Sequence, residues 1–350
     1  MPHQPYRSIT KHKLLFLCRL FWPHIGGVET HVLQLSMELL KRGYEITIIT
    51  EQHDSSLPLL EEQYGIHIFR IPQASLKNKW TIWTWMYRHI SLLMLSNIVH
   101  AHDVMWWYWP FRFLFLNKST YTTFHGYEGA NEPHLGAILS RKMSEFLSRK
   151  TICIGDWMRK WYHTNPNAVS YGAATCSPAS VFQVKPNSIV FIGRLSEDTG
   201  ILVYIHAVQF LKGKFSLDIF GEGPLKQEIL KMIYDSPFIT YQEETVSPEK
   251  ELARHRYAFV SRYLAMIEAQ QVGRFVFAQW DTAIKRDYLR SLPTADCIHI
   301  FHDPKDLVKG LEDIQKHPEK EKRFIKKAQT WAVHQRWSKA ADMYEELWEK

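Results

Sequence analysis

The sequence lacks the features that would place the chain across a membrane or in a disulfide-bonded extracellular class. No apolar run approaches the ~20 residues that a membrane-spanning helix needs, and the basic N-terminus leads only into the short stretch LLFLC. The four cysteines, Cys18, Cys153, Cys176 and Cys297, are far apart and show no metal-ligand spacing. They predict reduced, mostly buried thiols. We therefore expect a cytoplasmic protein, either free in solution or bound at the inner face of a membrane without crossing it.

Two ligand motifs are also missing. The full Gly-x-Gly-x-x-Gly fingerprint is absent, which argues against a nicotinamide-dependent oxidoreductase. His100 and His102 end a predicted strand, but two histidines without a third ligand do not form a convincing metal site. We therefore expect neither a metal ion nor a cofactor.

The length of the chain and the distribution of its charge indicate its domain number and its possible partners. At 350 residues the chain exceeds what one hydrophobic core usually organises, which predicts two domains. The net charge of +7 is uneven, because residues 1–175 hold 18 Lys and Arg against 12 Asp and Glu, and the remainder holds 25 against 24. A basic N-terminal half suits anionic substrates, acidic lipid surfaces or nucleic acid, although a merely solvated basic face is at least as common.

Apolar strands, glycine loops and helical segments alternate along the chain. The first set of predicted strands comprises Leu14–Phe21, residues 45–50, Ile66–Ile71, Asn97–Ala101, Thr120–Phe124 and Thr151–Ile154. After a loop-like stretch at 172–188, the second set comprises Ile189–Ile192, Leu217–Phe220, Phe238–Tyr241, Ala258–Val260, Phe275–Phe277 and Cys297–Ile300. The alternation predicts an α/β protein with two Rossmann-like domains, each with a parallel sheet that binds ligands at the carboxyl ends of its strands.

The stretch SIVFIGRLSEDTG, residues 188–200, is the most informative motif. An apolar strand stops at Gly193 and Arg194, and a helical segment opens at Gly200. Glycine lets the backbone approach an anion, unpaired N–H groups point at it, and arginine adds a forked and permanent charge. This arrangement predicts a phosphate site.

Three further glycine turns follow predicted strands. Gly26 and Gly27 precede a helix whose dipole favours an anion, although a tight turn alone also explains these glycines. Gly221 and Gly223 stand in the same strand-to-helix position. His125 ends a strand and precedes a glycine, so we expect it at the ligand-binding edge, where it can donate a hydrogen bond to a sugar hydroxyl or to developing negative charge.

A helix predicted over residues 263–272 carries a carboxylate in an otherwise apolar turn. Ser261 is a natural N-cap for this helix. Glu268 needs polar partners there, and the two hydroxyls of a ribose are suitable. An exposed glutamate on the helix surface is the alternative.

The ordered set of motifs resembles the retaining glycosyltransferases of family 4, which have the GT-B fold. The motifs are PHIGGVETHVLQLSMELLKRGYEITIIT, NIVHAH, TTFHG, IVFIGRL, LDIFGEGP and MIEAQQVGRFVFA, and the resemblance runs from Leu14 to about Trp348. It implies two Rossmann-like domains that face a central cleft. We expect an acceptor-binding domain over 1–178, a donor-binding domain over 179–328, and a C-terminal helix over 329–350 that crosses back to the first domain.

The resemblance also implies roles for individual residues. Gly193 and Arg194 would hold the donor diphosphate, Glu268 would contact the donor ribose, and His125 would lie near the reacting sugar. Gly26 and Gly27 would form a loop beside the diphosphate and the acceptor. The expected catalytic residues are His125 and Arg194, and the expected donor-binding residues are Gly193, Arg194, Thr199, Gly221, Gly223, Tyr263, Leu264 and Glu268.

Two positions depart from the family pattern. The family places a lysine six residues after the glycine of its Gly-Arg-Leu motif, and Thr199 stands there instead. One charge-assisted contact, worth ~1.5–3 kcal/mol, is thereby lost, although a hydroxyl can still donate to phosphate. The first of the family's two glutamates is replaced by Val260, in a loop that is about four residues shorter. The N–H groups of residues 262–264 can still face the donor at the helix start. These departures support a rival hypothesis, a protein that binds a sugar nucleotide without turnover.

No Asp-x-Asp occurs, so the metal-binding motif of the other main glycosyltransferase fold is absent and metal-independent transfer is expected. Arg194 and helix dipoles would then stabilise the leaving diphosphate. The resemblance implies retention of configuration, and the lack of an obvious carboxylate nucleophile favours front-face attack. We expect transfer of a hexose-type sugar from a nucleotide-diphosphate sugar to a hydroxyl of a glycan, lipid-linked or small-molecule acceptor, in cell-surface glycan or glycolipid synthesis, without a nucleic-acid partner.

Two aromatic stretches allow more than one interpretation. Residues 77–95 combine basic side chains with Trp80, Trp83 and Trp85, which is typical either of a helix at a membrane interface or of a helix packed on the N-terminal sheet. Residues 103–113 follow a strand end, so their rings either line an acceptor site or pack in the core.

Overall fold

The computed structural model describes residues 12–127, 132–175, 183–243, 245 and 247–349. Within these residues the chain forms two compact units. The N-terminal unit comprises the described residues up to Ser170 together with those from Trp337 onward. The C-terminal unit extends from Tyr171 to Arg336. The domain boundaries predicted at 178 and 328 stay predictions.

The N-terminal unit is built on an eight-stranded sheet in the order β3-β4-β2-β1-β5-β6-β7-β8. Its strands are β1 (Lys13–Cys18), β2 (Glu45–Glu51), β3 (Leu60–Gln63), β4 (Ile66–Ile71), β5 (Ile98–His102), β6 (Ser119–Phe124), β7 (Lys150–Ile154) and β8 (Ala168–Ser170). All neighbours are parallel except β3 and β4. The prediction that the first strand extends to Phe21 was wrong, because the strand ends at Cys18 before the loop that contains Pro23.

Helices cover the sheet of this unit. They are α1 (Gly27–Lys41), α2 (Lys79–Arg88), α3 (Ile90–Leu95), α4 (Trp109–Leu114), α5 (Leu135–Leu147) and α6 (Trp157–Tyr162). A core beside β1 and β5 takes up most of the aromatic stretches: Trp85 on α2 is buried, and Trp107, Tyr108 and Phe111 are almost fully buried. Core packing is therefore the observed arrangement of these rings, whereas Trp80 is 75% exposed.

The C-terminal unit has a six-stranded, fully parallel sheet in the order β11-β10-β9-β12-β13-β14. Its strands are β9 (Lys185–Ile192), β10 (Ser216–Phe220), β11 (Ile239–Gln242), β12 (His255–Phe259), β13 (Phe275–Gln279) and β14 (His299–Phe301). Its helices are α7 (Ile201–Phe210), α8 (Lys226–Ile233), α9 (Pro248–Arg254), α10 (Tyr263–Gln271), α11 (Ala283–Arg290), α12 (Pro304–Lys316) and α13 (Pro318–Ala332). Each strand-to-helix connection places a loop at the carboxyl edge of the sheet, where ligands of such folds bind.

The last helix, α14 (Trp337–Glu349), packs in the N-terminal unit. Tyr344 lies fully buried, and its hydroxyl is 3.0 Å from His31 Nε2 and 2.9 Å from Thr123 Oγ1. Trp348 donates from its indole N–H to His100 Nδ1 at 3.1 Å. Arg42, which directly follows α1, pairs with Asp342 and Glu345. A buried polar network and surface ion pairs thus fasten the helix to α1, β5 and β6.

Three cysteines of the described chain, Cys18, Cys153 and Cys297, are free and buried, as the sequence predicted. Burial raises the pKa of Cys153 to about 11, which keeps its thiol protonated and unreactive. Cys176 lies outside the described residues.

Candidate functional site

The glycines predicted to bind phosphate lie in two adjoining loops at the carboxyl edge of the C-terminal sheet. Gly193 has φ 159°, and Gly221 and Gly223 also have positive φ. A Cβ atom at Gly221 would lie 1.9 Å from the carbonyl oxygen of Gly193, and one at Gly223 would lie 2.5 Å from that of Leu195. No side chain fits there, so the loops after β9 and β10 approach each other only because these residues are glycines.

Arg194 extends from the first of these loops and its side chain is 63% exposed. Its Nη2 lies 3.1 Å from Oδ2 of Asp198, and Arg262, which follows β12, pairs with the same oxygen. Burial would raise the pKa of Asp198, but a hydrogen bond from Ser196 and the two arginine charges outweigh it and lower that pKa. The carboxylate therefore stays ionised and holds two guanidinium groups beside the glycine loops.

Thr199 lies in the same turn, but its side chain does not face outward. The residue is 7% exposed, and its hydroxyl donates to the carbonyl oxygen of Ser196 at 2.7 Å. That bond closes the turn that precedes Gly200, whose φ of 77° starts α7. In this conformation the Thr199 hydroxyl is committed to the backbone.

The start of α10 differs from the sequence-based expectation. The N-cap is Arg262 and not Ser261, because the Ser261 hydroxyl donates to the carbonyl of Thr199 at 3.2 Å instead of capping the helix. The N–H of Tyr263 donates to the hydroxyl of Tyr288 at 2.7 Å, and the two rings stack 3.9 Å apart. Leu264 is half-buried. The side chain of Tyr263 is thus part of the packing of the unit.

Glu268 lies one turn further along α10 and is half-buried. Within the described chain its carboxylate accepts no hydrogen bond from another side chain or from the backbone. Burial, with the negative charge of Glu249, raises its pKa to about 7. A carboxylate in this state gains from hydrogen-bond donors that a ligand would bring.

Lys285 is a charged residue of this region that sequence reasoning missed. Its side chain is 1% exposed, and Nζ donates to the carbonyl oxygen of Asp198 at 2.6 Å and to Gln279 Oε1 at 3.3 Å. Burial lowers its pKa to about 8. The sequence could have indicated that Lys285 is buried, because it stands four residues before the apolar Leu289 and therefore lies on the apolar side of α11.

In the N-terminal unit, His125 belongs to a cluster of histidines at the carboxyl ends of β5 and β6. Its Nε2 lies 2.9 Å from Nδ1 of His102, and its ring centroid lies 4.7 Å from that of His31. Its backbone N–H donates to Asp103 Oδ1 at 2.9 Å. The sequence indicated His125 by its place at a strand end, but it gave no reason to place His31 beside it.

The hydrogen bonds of this cluster define the tautomer of His125. Nε2 of His102 is buried and has no hydrogen-bond partner among the described residues. A buried acceptor without a partner costs less than a buried N–H without one, so His102 carries its proton on Nδ1 and donates it to Nε2 of His125. Burial, with the charge of Arg141, lowers the pKa of His125 to about 3. The ring is therefore neutral near pH 7 and carries its own proton on Nδ1.

Gly26 and Gly27 stand at the start of α1, as the sequence indicated. A Cβ atom at Gly26 would lie 2.3 Å from Oε2 of Glu29, so a carboxylate already lies beside this helix start. Oε1 of Glu29 is 3.1 Å from Nδ1 of His24. Around Gly27 there is open space.

Other parts of the described chain give no competing metal or membrane-spanning site. Across the described ranges, no three His, Cys, Asp or Glu side chains are grouped so that they would hold a metal ion. None of the helices that the structure describes is both long and apolar enough to cross a bilayer. A cavity of about 420 Å³ lies at the amino ends of β13 and β14, beside Phe275 and His299, which is the edge of the sheet opposite to the glycine loops.

Comparisons with known proteins agree with this arrangement. Residues 25–168 match the model of Glycosyltransferase Family 4. One component of the human phosphatidylinositol N-acetylglucosaminyltransferase is 27% identical over 97 residues, and the match covers 26% of this chain and 20% of that protein. The matched region thus spans about a fifth of the length of that relative.

Solved structures with a similar fold cover almost the whole chain. A sucrose-phosphate synthase from Thermosynechococcus elongatus has a TM-score of 0.77 and 15% identity, covering 97% of this chain and 98% of its own. Anabaena Alr3699/HepE in complex with UDP and glucose has a TM-score of 0.70 and 11% identity, covering 96% of this chain and 99% of its own. At these identities the likeness shows the fold, which is GT-B. The N-terminal unit thus matches the model of Glycosyltransferase Family 4, and the chain has the GT-B fold of glycosyltransferases.

Proposed function

We propose that this protein transfers a hexose-type sugar from a nucleoside-diphosphate sugar to an acceptor hydroxyl, with retention of configuration and without a metal ion. The observation that carries the proposal is the exposed Arg194 beside two glycine loops at the carboxyl edge of the C-terminal sheet. The UDP complex of the similar HepE structure supports UDP as the nucleotide. Similarity to a phosphatidylinositol N-acetylglucosaminyltransferase supports a lipid-linked acceptor, and hence a role in glycolipid or cell-surface glycan synthesis.

In this mechanism the protein stabilises the leaving diphosphate. Negative charge grows on the diphosphate as the glycosidic bond breaks, and the guanidinium of Arg194 meets that charge with preorganised donors. The ionised carboxylate of Glu268 accepts hydrogen bonds from the ribose hydroxyls. His125 donates from Nδ1 to a hydroxyl of the transferred sugar, which orients the donor without adding a charge.

The N-terminal unit offers a surface for a lipid acceptor on α5. Leu135, Leu139, Met143 and Phe146 of α5 are between 46% and 82% exposed and recur at helical spacing, on the face opposite to the buried Ala137, Ser144 and Leu147. We name these four residues the α5 face.

Basic residues and further apolar residues adjoin the α5 face. Arg112 donates to the carbonyl oxygens of Leu147 and Phe115, which brings the exposed Phe113 and Leu116 beside the end of α5. Lys142 on α5 is exposed. Apolar side chains with a basic margin fit the interface of a bilayer that contains anionic lipids. We propose that this surface holds the protein at a cytoplasmic membrane face.

A second candidate function is binding of a sugar nucleotide without turnover. The inward-facing Thr199 and the carboxylate already present beside Gly26 favour it, because both reduce the positive potential available to the diphosphate. The transferase and the binding protein differ in whether the bound sugar nucleotide is turned over.

Arg194→Ala tests the transferase. We expect the wild-type protein to release a nucleoside diphosphate from one member of a panel of UDP-, GDP- and ADP-sugars, and the variant to be 10–100-fold slower, since a charge-assisted contact is worth ~1.5–3 kcal/mol. Arg290→Ala, which removes an exposed arginine at the far end of α11, is the matched control and should keep the rate. Tight binding of a sugar nucleotide with no release in the presence of lipid-linked and small-molecule acceptors would favour the second candidate.

The pH dependence of UDP binding tests Glu268. Because the pKa of Glu268 is about 7 in the free protein, its ionised fraction grows about tenfold between pH 6 and pH 8. If the ionised form accepts the ribose hydroxyls, UDP affinity measured by calorimetry rises by up to about tenfold more in the wild type than in Glu268→Gln over this range. The variant corrects for titration of the phosphate itself. Parallel pH profiles would exclude this carboxylate from the nucleotide site.

In the absence of nucleotide, the raised pKa of Glu268 makes the folded protein less stable as the pH rises, whereas UDP binding becomes tighter as the pH rises. The raised pKa favours the protonated folded state, so the contribution of Glu268 is full below pH 4.5 and is lost as the pH rises through 7.

Flotation with vesicles tests the α5 face. Wild-type protein should float with vesicles that contain phosphatidylserine, and the double variant Leu139→Ser/Phe146→Ser should bind at least tenfold more weakly, because burying each such side chain contributes ~1.5–3 kcal/mol. Phe210→Ser is the control, since Phe210 is 64% exposed in the C-terminal unit. Equal flotation of the wild type and the double variant would contradict the assignment of this face.

A further inference from the structure

A lysine ammonium group lies buried behind the turn that follows β9. Lys285, in the first turn of α11, has a side chain that is 1% exposed. Its Nζ donates to the backbone carbonyl oxygen of Asp198 at 2.6 Å and to Oε1 of Gln279 at 3.3 Å. The carboxylate of the same Asp198 accepts a hydrogen bond from Arg194 at 3.1 Å. One residue therefore connects the buried ammonium group to the exposed guanidinium group of the proposed diphosphate site.

Charged groups on three neighbouring segments face Nζ of Lys285. Oδ1 of Asp281, which follows β13, lies 4.0 Å away. The carboxylate of Asp198 is the second anion, and Arg262, which follows β12, is a cation close enough to act on the group. Burial lowers the pKa of Lys285 to about 8, and the two carboxylates oppose that shift while Arg262 adds to it. Among the described residues, the hydrogen bonds of Nζ go to neutral oxygens and not to a carboxylate.

Packing alone does not account for a lysine at this position. Its neighbours on α11, Ile284 and Leu289, are buried, and an apolar side chain at position 285 would avoid the cost of burying a charge. The lysine has two effects that an apolar side chain lacks. Its hydrogen bond holds the backbone of the turn over residues 196–200, and its positive charge acts through that turn on an anion beside Arg194.

We propose that Lys285 is a positioning residue of the diphosphate site, which holds the turn that carries Asp198 and attracts the diphosphate with its buried charge. The proposal rests on the proposed function, in that the diphosphate belongs to the sugar donor. The attraction is mutual, so a bound diphosphate favours the ammonium form of Lys285. Protein that has lost this proton therefore takes one up when it binds a nucleoside diphosphate.

Proton uptake by the wild-type protein tests this coupling without a substitution. At pH 8 about half of the free protein carries Lys285 as the neutral amine, because its pKa is about 8. We expect UDP binding at this pH to take up as much as about 0.5 proton per UDP, measured by calorimetry in two buffers of different ionisation enthalpy. The terminal phosphate of UDP titrates near pH ~6 and contributes little at pH 8. Above pH 8 the affinity should fall, because the free protein loses a proton that the complex keeps.

Substitutions at position 285 separate the charge from the packing. Lys285→Met should bind UDP about tenfold more weakly at pH 7 and show no proton uptake at pH 8, since it keeps an unbranched side chain without the charge. Lys285→Arg keeps a charge that does not titrate, so it should bind UDP more tightly than Lys285→Met and also take up no proton. Lys309→Met, at an exposed lysine on α12, is the matched control and should match the wild type in both measurements. Glu268 titrates in all four proteins, so its effect cancels in the comparison.

Thermal unfolding of each variant shows whether the fold is kept. Equal UDP affinity, or equal proton uptake, in the wild type and a folded Lys285→Met variant would overturn the proposal. Absence of proton uptake by the wild type at pH 8 would overturn it even if that variant did not fold, and failure of the wild type to bind UDP would overturn it together with the proposed function. Proton uptake that depends on Lys285, without release of UDP from any UDP-sugar, would support the role of Lys285 and refute sugar transfer.

Discussion

The carboxyl edge of the C-terminal sheet depends on the ion pairs that Asp198 makes with Arg194 and Arg262. Asp198 lies in a turn that only glycine at positions 193, 221 and 223 allows to pack against the neighbouring loop. From there it holds two arginines, while Ser196 and Lys285 hold the turn itself. Without this group, two like charges would lie side by side at one edge of the sheet. Preorganised charge of this kind is what a phosphate leaving group requires.

In the N-terminal unit, a buried polar network holds the last helix, α14, against the sheet. Tyr344 joins His31 to Thr123, and Trp348 joins His100, so the helix that ends the described chain is fastened by hydrogen bonds under the histidine cluster. Burial lowers the pKa of His31, His100 and His102, which keeps these rings neutral. The network therefore leaves the single proton of His125 on Nδ1 and stabilises the fold with the same bonds.

The fold and much of the candidate site could be predicted from the sequence because hydrophobic periodicity and glycine turns are local signals. Strands such as β5, β6 and β10 were located to within about a residue, while β3 and β8 were missed because LEEQ and AVS are too polar or too short to give a strand pattern. Gly193, Arg194, Gly221 and Gly223 come together as the motif order indicated. Their roles in donor binding stay predictions, since no ligand contact tests them.

What the sequence could not supply is side-chain direction and long-range pairing. The sequence predicts Thr199 as a phosphate donor and Ser261 as a helix cap, whereas their hydroxyls bond to the backbone of Ser196 and of Thr199. Arg262 and Lys285 stand far from Asp198 in the chain and join it only when β9, β12 and β13 lie side by side. Local sequence patterns do not predict such contacts, because the contacts arise from the order of the strands in the sheet.

The most direct test of the central claim is hydrogen exchange followed by mass spectrometry with and without a UDP-sugar. We expect slower exchange of backbone amides in residues 193–200, 221–225 and 262–268, where the two glycine loops and the start of α10 lie. Unchanged exchange in these three segments, with protection elsewhere, would contradict a nucleotide site at this edge of the sheet. An example is protection around the cavity beside Phe275 and His299 at the opposite edge.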